Sequence, residues 1–180
     1  MTDIKIEIKY SKRRKKTVSA VFRNDTLIIS APQNINKQFL DDFIKKTKRK
    51  YFVSMENKKT NLKELSLKLM KKYFSKAIRD KIGNDFDITF VSTQKTVLGV
   101  CNYANRTIRL SDVLIPLPNW ITNYVIIHEL AHFIEPNHSK RFWEIVNNYP
   151  YVDQAKSFLQ GLFFGVSHYK EFLSFKTFDL

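Results

Sequence analysis

The run His128-Glu129-Leu130-Ala131-His132-Phe133-Ile134-Glu135-Pro136-Asn137-His138 constrains the local fold more than any other stretch of this chain. It holds three of the chain's four histidines. On a helix, positions i and i+4 share a face, so the imidazoles of His128 and His132 converge on one cation only if this segment is helical. Glu129, one step round, reaches a water held by that cation and can act as general base. Pro136-Asn137 ends the helix and reverses the chain, which brings His138 back toward the same point.

Zinc is the expected cation, because three neutral imidazoles with one open position suit its tetrahedral catalytic sites. In that scheme Glu129 takes a proton from water and later returns it to the leaving amine of a hydrolysed peptide. Two residues compete for the third position. His138 lies six residues after His132, the offset that metzincins use, and a turn separates them. Glu135 lies seven residues after His128 on the same helix face, about one turn beyond His132, and reaches the metal only if the helix breaks early. His138 is the better ligand, with Glu135 exposed or in a supporting position. Met1, Met55 and Met70 all precede the motif, so no Met-turn follows it and the metzincin pattern fails there.

The apolar run Val125-Ile126-Ile127 buries the metal helix. Tyr149, Tyr151 and Arg141 are candidates to stabilise the oxyanion of a tetrahedral intermediate, and spacing does not choose among them. His168, alone near the C-terminus, reads as structural or exposed. Cys101 reads as a small buried residue.

A chain that is 43% hydrophobic, with 15 Phe, has the makings of a folded core. A single cysteine excludes an intramolecular disulfide and suits a reducing cytosol. The N-terminus has no apolar region of a signal peptide, and no apolar run approaches a membrane span. The expected location is cytoplasmic.

The net charge of +14 is unevenly placed: residues 1–90 hold 23 Lys/Arg against 10 Asp/Glu, and residues 91–180 hold 8 against 7. A basic half joined to a near-neutral half suggests one electrostatic and one chemical task. Lys12, Arg13, Arg14, Lys15 and Lys16 form the densest cluster and are the candidate contacts to nucleic acid.

Ile4 to Tyr10 alternates with period two and reads as a strand. Thr17–Phe22 and Leu27–Ser30 read as two more, with Arg23-Asn24-Asp25-Thr26 as a hairpin turn and Ala31-Pro32 as the end of the sheet. Helical stripes follow: Phe39, Leu40, Phe43, Ile44 and Thr47 after a cap at Asn36, then Leu62, Leu65, Leu69, Tyr73 and Ala77 after Asn61 and up to Gly83. Asp87–Val91, Thr96–Cys101 and Arg106–Leu110 read as a second set of strands, with a turn at Asn102-Tyr103-Ala104-Asn105. Pro116 and Pro118 open the metal helix, expected over Asn119–Glu135. Two shorter helices are expected over Ser139–Asn148 and Val152–Leu162.

The block His128 to His132 followed by Pro136-Asn137-His138-Ser139-Lys140-Arg141-Phe142-Trp143 resembles the signature of the YgjP-like metallopeptidases, small intracellular proteins related in fold to the SprT-like and WLM families. Upstream, Tyr10 to Ser19, Ile28-Ile29-Ser30-Ala31-Pro32 and Arg106 to Leu110 are similar to the family's opening strands and to the strand before its metal helix. The resemblance spans roughly residues 4–160. It implies that His128, His132 and His138 are zinc ligands and Glu129 the catalytic glutamate. One departure stands out: where the family often shows Trp-Gly-Ser-Cys, this chain has Leu98-Gly99-Val100-Cys101. The SprT-like and WLM relatives include proteases that act on proteins trapped on DNA, which gives the basic half an analogue.

The expectation is therefore an α+β protein. A basic N-terminal sheet-plus-helix region (1–90) accompanies a minimal zincin core (91–180), the HExxH helix packed on a small sheet, in one compact unit. The expected activity is zinc-dependent hydrolysis of peptide bonds in a protein or peptide substrate, with one Zn2+ and no membrane. The alternative is a nucleic-acid-binding protein whose zinc site is structural or vestigial.

Overall fold

A computed structural model describes residues 4–23, 26–94 and 96–168 of the chain. It is α+β, with two three-stranded sheets and six α-helices among the described residues. The chain divides into two compact units, Met1–Thr60 and Asn61–Leu180.

In the first unit, alternating apolar residues build β1 (Lys5–Ser11), β2 (Ser19–Arg23) and β3 (Thr26–Pro32). The strand order is β1-β3-β2, with β1 parallel and β2 antiparallel to β3. The central strand β3 buries Leu27, Ile29 and Ala31 against Leu40 of α1 (Lys37–Lys59), and Ile6, Ile8 and Phe22 pack on the same cluster. Asn36 caps α1 by accepting a hydrogen bond from the Phe39 N–H at 3.0 Å, as its position in the sequence suggests. The two central residues of the expected hairpin turn, Asn24 and Asp25, lie outside the described residues.

In the second unit, the helical stripe after Asn61 forms two helices, α2 (Leu62–Tyr73) and α3 (Lys76–Ile82). Phe74 is extended between them, and Ser75 restarts the helix by capping the Ile78 N–H. Gly83 ends α3 with φ 67°, a left-handed conformation that suits glycine. The second sheet follows: β4 (Asp87–Val91), β5 (Gly99–Asn102) and β6 (Thr107–Ser111), in the order β4-β6-β5. Here β4 is parallel and β5 antiparallel to β6. The division expected at residue 90 falls inside β4. Because β4 pairs with β6 and α2 packs against both β4 and the later helix α4, residues 61–90 go with the second unit.

The three remaining helices are α4 (Asn119–Ala131), α5 (Lys140–Val146) and α6 (Val152–Ser167). Pro118 precedes the first turn of α4, a position where its missing N–H costs nothing. Ile121, Ile126, Ile127, Leu130 and Ala131 are fully buried, so α4 is the core helix of this unit and packs against α2, β5, β6, α5 and α6. It stops at Ala131, four residues earlier than its periodicity suggests. The following residues tighten into turns closed by the Phe133 N–H on Leu130 O and the Glu135 N–H on Ala131 O. No described helix is long and apolar enough to cross a membrane.

Candidate metal centre

The end of α4 and the turn after it assemble the site. His128 and His132 project from successive turns of one helix face, with ring centroids 5.0 Å apart. His138 returns to face them at 4.9 Å from each ring. One ligating nitrogen from each histidine lies within 4.8 Å of the other two. The Nε2 atoms of His128 and His138 face one another at 3.0 Å. Two zinc–nitrogen bonds of about 2.0–2.1 Å at a tetrahedral angle would set such atoms about 3.3 Å apart.

The His132 tautomer suits metal binding. A carbonyl oxygen can only accept, so His132 Nδ1 donates to Glu135 O at 3.1 Å and leaves the Nε2 lone pair free. Burial lowers the His132 pKa. Burial, followed by its two histidine neighbours and Lys156, holds His128 down to about 3, so its ring is neutral at physiological pH. Three imidazole nitrogens converging on one point fit a zinc ion. Glu135 takes part through its backbone carbonyl, and its carboxylate is not in the cluster.

Phe142, fully buried at the start of α5, forms the floor. Its ring centroid is 4.8 Å from that of His128, 4.6 Å from that of His132 and 4.7 Å from that of His138. Ser139 caps α5 by accepting from the Phe142 N–H, which sets where this ring sits. Trp143 stacks on His138 from the next position.

Glu129 is only 5% exposed and faces β5. Burial pushes its carboxyl up to about 7, opposed by a hydrogen bond from the Cys101 backbone. The same pocket raises the Cys101 thiol to about 12, first by burial and then through the Glu129 charge, so the thiol stays protonated. A cavity of about 570 Å³ opens over these groups, lined by residues 96–101 on one side and by His128, Glu129, His132 and His138 on the other. A carboxylate beside three convergent imidazoles, in a cleft with room for a chain segment, can activate water against a bound carbonyl.

The three tyrosine and arginine candidates for oxyanion stabilisation lie elsewhere. The Tyr149 hydroxyl donates to Trp120 O, and its ring packs edge-on against Tyr73. Tyr151 packs on Trp120 and Tyr149, and Arg141 lines a separate cavity of about 250 Å³. Tyr124 and Tyr103 line the site cavity instead. Tyr124 was readable from the sequence as the residue four before His128 on the same helix face. His168 closes α6, stacked on Phe164 and bonded to Ser167, away from the cluster. Lys12, Arg13, Lys15 and Lys16 are exposed and Arg14 half-buried in the loop between β1 and β2, within the first unit.

The sequence model of the YgjP-like metallopeptidase domain family matches residues 49–161. Among solved structures, the metallopeptidase zymogen abylysin of Pyrococcus abyssi matches with 23% identity and a TM-score of 0.39, over 51% of this chain and 86% of its own. No curated protein matches.

Proposed function

The chain belongs to the YgjP-like metallopeptidase domain family, and from that membership we propose that it is a zinc-dependent peptidase working in the cytoplasm. The observation that carries the reading is the convergence of His128, His132 and His138 beside the buried carboxylate of Glu129. A structural zinc site would be closed by a fourth protein ligand and would have no use for Glu129. No fourth His, Cys, Asp or Glu joins the cluster among the described residues.

His128, His132 and His138 would hold one Zn2+. When bound, it supplies Lewis acidity, which makes a water acidic near neutral pH and polarises a carbonyl. Glu129 takes the proton from the attacking water and delivers it to the departing amine. The substrate is a protein or peptide. Among the described residues β5 pairs only with β6, and with the Cys101 N–H on its other edge held by Glu129, an extended peptide would pair along the part of that edge toward Gly99, beside the cavity. Removing the metal with a chelator should abolish cleavage of an unstructured protein substrate, and stoichiometric Zn2+ should restore it. Cleavage that survives complete metal removal would refute the reading.

For the Met1–Thr60 unit we propose contact with nucleic-acid phosphates. The support is its charge: residues 1–60 carry 16 Lys/Arg against 6 Asp/Glu, and the Lys12–Lys16 loop is mostly exposed.

A further inference from the structure

We propose that Gly99 is a positioning residue for Glu129: its bare Cα forms the wall that sets where the carboxylate lies, and the Cys101 backbone N–H anchors the carboxylate in that place. A Cβ built on Gly99 would stand 2.4 Å from Glu129 Oε1 and 2.7 Å from both Cδ and Cγ. Carbon atoms do not approach so closely. The three overlaps run along the side chain from Cγ outward, so turning the carboxylate alone does not relieve them.

Conformation does not ask for glycine at this position. Among the described glycines only Gly83 has a positive φ, so the backbone at Gly99 is open to any L-residue. Gly99 sits in a strand opposite Leu110, where a small side chain is ordinarily harmless. The requirement for no side chain comes from Glu129. Nor can Glu129 retreat, because its helix is held by the fully buried Ile126, Ile127 and Leu130. A side chain at 99 therefore drives the Glu129 side chain to another rotamer and breaks its bond to the Cys101 backbone. The three closest approaches of that added carbon are all to Glu129 and none to a histidine, so the glutamate is what a side chain at 99 meets first.

The kinetic half of this proposal rests on the peptidase reading; the placement of Glu129 does not. The test is Gly99→Ala, read by crystal structure, zinc content, thermal stability and steady-state kinetics. The expected result is Glu129 displaced by about 1 Å or more with full zinc content. With it, kcat falls by about 100-fold or more while KM changes little. Gly99→Ala should have no added effect in a Glu129→Gln background, and any loss of stability should be recovered by Glu129→Ala. Glu129 unmoved, zinc lost in step with activity, or a stability loss that persists without the glutamate would each overturn the proposal. If the wild type cleaves nothing, the peptidase reading fails, and the position of Glu129 in the variant still decides this one.

Discussion

The indole of Trp143 lies nearly parallel to the imidazole of His138, with 24° between the planes and 5.8 Å between centroids. Lys156 Nζ stands 3.7 Å from the centroid of the same indole. His138 is exposed and sits on the turn after α4, so this stack, rather than burial, holds its ring toward His128. Trp143→Ala should lower zinc affinity by about 10–100-fold, the range found when a group supporting a metal ligand is removed. Competition against a chromophoric chelator measures this. Unchanged affinity would show that the stack does not orient the ligand.

His138 and Glu135 separate cleanly by substitution. Glu135 acts through its carbonyl, which remains in Glu135→Gln, so that variant should keep zinc affinity within about threefold of wild type. His138→Ala removes a nitrogen from the cluster and should weaken zinc binding by more than about 100-fold, the most that a supporting group is worth. The opposite ranking in the same competition assay would make Glu135 the third ligand.

Phe142 touches all three imidazoles while being fully buried. Phe142→Ala should cost about 3–5 kcal/mol of stability, by reduced burial and a residual cavity, and should weaken zinc binding with it. Phe142→Leu, which keeps most of the volume, should cost less on both counts. Denaturant unfolding of the metal-free protein checks the first effect and zinc titration the second.

The carboxyl of Glu129 is raised from 4.5 to about 7. A carboxyl with a raised folded-state pKa binds more protons folded than unfolded between those values, so its contribution to stability falls as pH rises through that window. In the metal-free protein Glu129→Gln removes this penalty and keeps an acceptor for the Cys101 N–H. The variant should match wild type near pH 4 and exceed it above pH 7 by on the order of 3 kcal/mol. Thermal melts of the apo proteins at several pH values test it, and a pH-independent difference would contradict it.

The basic loop predicts salt-sensitive binding of nucleic acid by the whole chain. Neutralising Lys12, Arg13, Arg14, Lys15 and Lys16 together should weaken binding. On duplex DNA it should flatten the log–log salt slope by about 0.9 for each phosphate that these side chains neutralise in the wild type. Binding with an unchanged slope would place any nucleic-acid interaction elsewhere.

The convergence of the three histidines was legible because its geometry is local. Helical spacing alone pairs His128 with His132, and Pro136-Asn137 announces the turn that returns His138. What was not legible depends on residues far apart in the chain. Gly99 is thirty residues from Glu129, and only the docking of β5 on α4 shows why it carries no side chain. The parallel pairing of β4 with β6 likewise drew residues 61–90 into the second unit, whereas charge alone had divided the chain at 90. The early end of α4 is an intermediate case. Apolar spacing continues to Glu135, but turn hydrogen bonds on Leu130 and Ala131 take over once Pro136 forbids a further helical turn. Tyr149, Tyr151 and Arg141 show the limit of spacing for groups outside the motif: each found a packing or surface position away from the cavity.

The central claim is that Glu129 performs chemistry at a zinc site that His128, His132 and His138 hold without it. The most direct measurement is zinc content and proteolysis of the wild type and Glu129→Gln side by side, with products read by mass spectrometry. About one zinc in both proteins, with cleavage only in the wild type, is the predicted result. Equal cleavage by both proteins, or stoichiometric zinc with no cleavage by either across varied substrates and with nucleic acid added, would contradict it.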